Sequence, residues 1–204
     1  MDNPQSLKFI NDLASYFNAL PGVGRKTAQR YALQLLKQDD DFLKGFGKTL
    51  AELKSNIHEC KICHNLTELE ICSVCSSPSR NGELICVVED IRDVLAIENT
   101  HQFRGKYHIL GGVISPMDGI GPTDLNIESL IDRVKNNPEI KEVLLALRIT
   151  MEGDTTNFFL YKKLNGVDVK ITTIARGVSF GEQIEYTDEV TLAKSILNRV
   201  PYES

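Results

Sequence analysis

The sequence predicts an α+β, multidomain chain: a small helical module, a four-cysteine metal knuckle, and an α/β domain on a parallel sheet. Three observations carry that expectation. Residues 1–57 show a helical apolar period interrupted by a Gly-x-Gly at Gly22 and Gly24. Four of the five cysteines form two Cys-x2-Cys units between Cys60 and Cys75. From Leu84 onward, short apolar runs alternate with helical patterns, as in a parallel sheet covered on both faces. The expected domains are 1–57, 58–80, 81–178 and a helical segment at 179–204.

A chain of 204 residues, 42% hydrophobic and 25% charged, is an ordinary globular protein with room for a real core. It has no run of about 18 apolar residues, so no membrane span is expected. Asp2 and the polar start do not fit a signal peptide. Paired, clustered cysteines suit metal rather than disulfides. A cytoplasmic address is the expectation. The net charge of −5 argues against a general nucleic-acid glue. Residues 1–80 carry ten Lys/Arg against nine Asp/Glu, and the remainder 13 against 19. Contact with DNA should therefore be local, N-terminal, and weak from one copy.

The first element is helical through Leu7, Ile10, Leu13, Phe17 and Leu20. Pro21 starts a turn, and Gly22 and Gly24 can both take positive φ. A second helix is expected from about 24 to 37. Ala28, Tyr31, Ala32, Leu35 and Leu36 fall on one side of it and Lys26, Arg30 and Lys37 on the opposite side, with Leu33 interrupting that polar face. The unpaired N–H groups of the first turn, the positive end of the dipole and the cations Arg25, Lys26 and Arg30 make a phosphate seat. This is the layout of a helix-hairpin-helix module, which holds the DNA backbone without reading sequence. An ordinary turn with a solvated charged face is the alternative. Asp39-Asp40-Asp41 ends this helix and can cap a third at about 41–57, despite Gly45 and Gly47.

Cys60, Cys63, Cys72 and Cys75 are the strongest chemical signal. Two knuckles close a tetrahedral thiolate shell around Zn²⁺, and four protein ligands leave no open position, so the zinc is expected to be structural. A redox dithiol is the alternative. His58 and His64 are expected to be bystanders, and Cys86 a buried small hydrophobe.

Strands are expected at 84–88, 107–110, 142–147 and 167–174, with helices at 91–97, 127–134, 154–164 and 188–199. The loop 101–123, with His101 and His108, is read as a connection rather than an active site. Glu89 follows the first strand, and Glu152-Gly153-Asp154 follows the strand at 142–147. Ligands gather at such strand ends, and these acids can converge on Mg²⁺. Helix capping, above all by Asp154, is the alternative for each acid taken singly. As an ordered set they resemble a Toprim domain, with Mg²⁺ possible but not expected to be required.

In this order the modules resemble the RecR family of bacterial recombination mediators. The local matches are PGVGRKTAQR at 21–30, SPMDGIGP at 115–122 and IARGVSFGEQIEYTDEVTLAKSI at 174–196. The resemblance implies a DNA-binding tetrameric ring acting with RecO and RecF to load recombinase at gaps and breaks. It also implies DNA contact by Lys26 and Arg30, zinc ligation by the four cysteines, and partner contact without catalysis by Glu89, Glu152 and Asp154. The competing function is a Mg²⁺-dependent Toprim nuclease or nucleotidyl transferase. No Walker A motif supports ATP hydrolysis. One departure stands out. Relatives usually carry Asn-Pro-Thr before the second acidic motif, where this chain has Arg148-Ile149-Thr150. That arginine would neutralise the acids and weaken a metal site. The apolar C-terminal helix, with Val190, Leu192, Ala193, Ile196 and Leu197, can pack on the core or on another subunit.

Overall fold

In the computed structural model, residues 7–201 are described, except 176, 179, 180 and 182. Asp2 and part of the 174–196 motif lie outside them. The chain divides into two compact units, Met1–Ile57 and His58–Ser204.

The first unit has three helices: α1 (Lys8–Asn18), α2 (Arg25–Leu35) and α3 (Asp40–Asn56). Its core is built from small side chains. Ala14, Ala28 and Ala32 are buried where α1 meets α2, with Ile10, Leu13, Phe17 and Val23 around them. Alanines let the two backbones approach closely, which holds the turn between them. Of the two hairpin glycines only Gly22 takes positive φ, at 76°. Gly24 is extended and serves as the N-cap of α2. Of the two glycines free to take positive φ, one does, and a single such residue suffices to reverse the chain. Asp39 caps α3, its carboxylate accepting from Phe42 N–H at 2.8 Å.

The second unit opens with a short antiparallel pair, β1 (His58–Glu59) and β2 (Leu66–Thr67), then the one-turn helix α4 (Ser73–Ser76). A four-stranded parallel sheet follows: β3 (Leu84–Val88), β4 (Lys106–Ile109), β5 (Glu142–Leu145) and β6 (Lys170–Thr173), in the order β4-β3-β5-β6. Helices α5 (Ile91–Asn99), α6 (Ile127–Lys135) and α7 (Met151–Lys163) connect the strands, and α8 (Glu189–Leu197) comes last.

Alternation along β3 and β5 sorts the core onto two faces. Ile85, Val87, Val143 and Leu145 meet α6 (Ile127, Leu130, Ile131, Val134), Leu160 of α7 and its C-cap Leu164. Cys86, Val88, Tyr107 and Ile109 form the opposite layer with Val94 of α5, and Val74 of α4 packs against it. Cys86 is fully buried as expected, and burial pushes its thiol up to about 12.

The edge strand β4 does not leave its outer side open. Ile109 N–H donates to the Cys63 carbonyl at 2.8 Å. Tyr107 C=O accepts from the Arg133 guanidinium at 2.8 Å, and Ile109 C=O from the Asn126 amide at 3.1 Å.

Two boundaries depart from expectation by three residues. The helix expected at 154 begins at Met151, because Thr150 supplies the cap and its hydroxyl accepts from Gly153 N–H at 3.2 Å. Asp154 thus lies in the first turn and is not the cap. Strand β6 begins at Lys170 rather than 167, since α7 ends in a turn at Gly166 with φ 89°.

Candidate nucleic-acid interface, metal centre and acidic edge

Arg25, Lys26 and Arg30 are all exposed on α2. Lys26, Arg30 and Lys37 line one shallow hollow with Gln29, Leu33 and Gln34. Arg25 faces a different hollow, beside Asn11, Ser15 and Asn18 of α1. The helical period therefore gathers Lys26 and Arg30 and leaves Arg25 at the α1 groove. No side chain caps the N-terminus of α2, so its first N–H groups and the positive dipole end reinforce this cationic surface.

The four cysteines are buried, and their sulfurs all lie within 4.8 Å of one another. Cys63 Sγ and Cys72 Sγ are 3.5 Å apart. A tetrahedral shell with Zn–S bonds near 2.3 Å has edges of about 3.8 Å, so the donor set fits one zinc ion. Backbone N–H groups already point at sulfur: Cys72 N–H to Cys60 Sγ at 3.3 Å, and Cys75 N–H to Cys72 Sγ at 3.4 Å. Such donors favour thiolates. Hydrogen bonding with Cys63, aided by the charge of Arg133, brings the Cys75 thiol down to about 6.

The histidines flanking the knuckles are outside the ligand set. His64 holds the left-handed conformation after the first knuckle, φ 62°. Its ring bridges Glu59 (Nδ1 to Oε2, 3.0 Å) and Ser129 of α6 (Nε2 to Oγ, 2.9 Å). That bridge ties the knuckle to the sheet domain across 65 residues of sequence, and nothing local in the sequence signals it.

Glu89, Glu152 and Asp154 sit at the carboxyl edge of the sheet, but their oxygens do not come together. Among the described residues the cysteines form the one group of three or more ligand side chains. The Arg148 guanidinium pairs side-on with the Glu89 carboxylate, Nε to Oε2 at 2.6 Å and Nη2 to Oε1. Asp154 Oδ2 lies 3.7 Å from Lys194 Nζ of α8. Glu152 is exposed, its carboxyl held below the usual range by its own backbone N–H and the Thr150 hydroxyl. The three acids therefore do not converge as a single three-carboxylate cage of the kind the sequence allowed.

A helical hairpin, a four-cysteine knuckle and a parallel sheet with acids at its carboxyl edge define a multidomain Toprim protein. The Toprim domain profile matches residues 83–175. The RecR helix-hairpin-helix matches 10–54, the RecR four-cysteine zinc finger domain 57–77, and the RecR C-terminal segment 177–200. "Recombination protein RecR" of Phocaeicola vulgatus is 60% identical over 183 residues, covering 90% of this chain and 89% of that one. Its counterparts from Parabacteroides distasonis (58%, covering 95% and 90%) and Porphyromonas gingivalis strain W83 (53%, covering 97% and 95%) are similar throughout. The chain belongs to the RecR family. No helix among the described residues is long and apolar enough to cross a membrane.

Proposed function

We propose that this chain is a non-enzymatic DNA-binding clamp and adaptor of recombinational repair. It acts with RecO and RecF to promote recombinase loading at gaps and breaks. The observation that carries the reading is the exposed face of α2 shared by Lys26, Arg30 and Lys37. Three cations on one face suit the sugar-phosphate backbone and carry no base-reading geometry. One such face binds weakly, so several copies in a tetrameric ring are needed to hold DNA at high effective concentration. The exposed apolar residues Val190, Ile196 and Leu197 of α8 support an assembly contact in the segment 179–204. Zinc at Cys60, Cys63, Cys72 and Cys75 braces the fold, the edge that carries Glu89, Glu152 and Asp154 faces a partner with Glu89 lying beneath Arg148, and the protein works in the cytoplasm at the nucleoid.

The test is a Lys26→Ala/Arg30→Ala double variant in a DNA-retention assay at low salt, with circular dichroism as the folding control. We expect retention to be lost with the helical signal unchanged. Native retention by the folded variant removes the hairpin from the account.

A further inference from the structure

A Toprim edge collects negative charge where sheet strands end, and that charge needs a counter-ion. Here the chain supplies one. Arg148 leaves the carboxyl end of β5 and reaches Glu89 at the carboxyl end of the neighbouring strand β3. The contact is bidentate and uses both carboxylate oxygens, the strong and directional form of the pair. The Glu89 side chain is 12% exposed and that of Arg148 50%. The carboxylate is thus largely withdrawn from water while the cation closes over it.

Both backbones are fixed. Glu89 N–H donates to Asp93 Oδ2 at 3.1 Å, and Glu89 C=O accepts from Gly111 N–H at 3.0 Å. Arg148 C=O accepts from Thr150 N–H at 3.0 Å, and Thr150 caps α7. Gly153 lies against the same carbonyl so closely that a Cβ there would sit 2.0 Å from Arg148 O. The absence of a side chain at 153 lets the start of α7 pass beneath the arginine. The second acid of the motif is drawn toward Lys194, 3.7 Å from Asp154.

We infer that Arg148 is the resident counter-ion of this edge: its guanidinium holds the place a divalent cation would take, so the site neither binds nor needs Mg²⁺. A metal arriving there finds no free oxygen on Glu89 and meets a like charge. The inference stands apart from the DNA reading, because it concerns only the acidic edge.

The probe is Mn²⁺, followed by its electron paramagnetic resonance signal, with zinc-loaded full-length protein. Native protein is expected to leave the Mn²⁺ signal unchanged at millimolar metal. Arg148→Asn should gain a site, tightening Mn²⁺ binding by about one to three powers of ten, the span over which a neighbouring charge shifts a carboxylate. Adding Glu89→Gln should abolish that gain. Arg148→Lys, which keeps a cation, should stay closed. Arg148→Gln, which retains the stem beside Gly153, carries the same expectation as Arg148→Asn should the latter fold poorly by circular dichroism. Glu89-dependent Mn²⁺ binding by native protein, or no gain in either folded neutral variant, overturns the inference.

Discussion

His108 is fully buried in β4, its Nε2 donating to the Asn126 carbonyl at 2.8 Å, while its Nδ1 has no hydrogen-bond partner. A proton on Nδ1 would be a charge in an apolar layer. Burial therefore carries the group from its ordinary 6.5 down to about 3, and Arg133 and His64 push the same way. The folded state binds that proton later than the unfolded chain does. Stability from the neutral ring is complete above about pH 6.5 and drains away as pH falls toward 3, by at most about 1.4 kcal/mol per pH unit. Urea melts between pH 7 and 4 should show this slope in the native protein and a shallower one in His108→Gln. Equal slopes would mean the ring is not buried neutral. The apolar run around His108 marks a strand, but the carbonyl that accepts from its Nε2 belongs to Asn126, 18 residues away. The Glu89–Arg148 pair is half visible, since an arginine before the acids is plain in the sequence. Lys194 beside Asp154 is not, because 40 positions separate them and no period links the two.

At the scale of elements, the zinc knuckle is the piece that sequence describes best. Its information lies within 16 residues, from Cys60 to Cys75, and the thiolate chemistry sets the geometry. Segment 58–80 has little core of its own beyond the cysteines and Val74. Zinc binding to such segments is worth on the order of 10 kcal/mol, comparable to the whole stability of a small domain. Stripping zinc with a chelator should therefore erase amide-exchange protection in 58–80 and at Ile109, whose N–H rests on Cys63, and spare α1 and α2. Protection unchanged at 58–80 would deny the metal its structural role. Helix α7 shows where element-level reading fails. Asp154 and Thr150 are both good caps; the helix starts after Thr150, where Gly153 lies close under the Arg148 carbonyl. In the hairpin, either glycine could turn the chain, and local sequence does not choose between Gly22 and Gly24.

For the molecule as a whole, the charge ledger sets the expectation. A chain at −5 with one cationic helix face cannot hold DNA by long-range attraction. On the proposed clamp reading assembly does it, so molar mass by light scattering should be a multiple of 22.8 kDa, independent of DNA. Each phosphate neutralised should add about 0.9 to the log–log salt slope of binding. A strict monomer that held DNA tightly would refute the clamp. Module order and the parallel sheet are readable because each rests on short-range periodicity. What joins the modules within the second unit, such as His64 to Ser129, is tertiary and is not. The covered side of β4 has one more implication. A bare strand margin is a template on which foreign chains can polymerise, and here a metal-held carbonyl helps stopper it. Losing zinc would then loosen one stopper on that margin, at the Ile109 N–H.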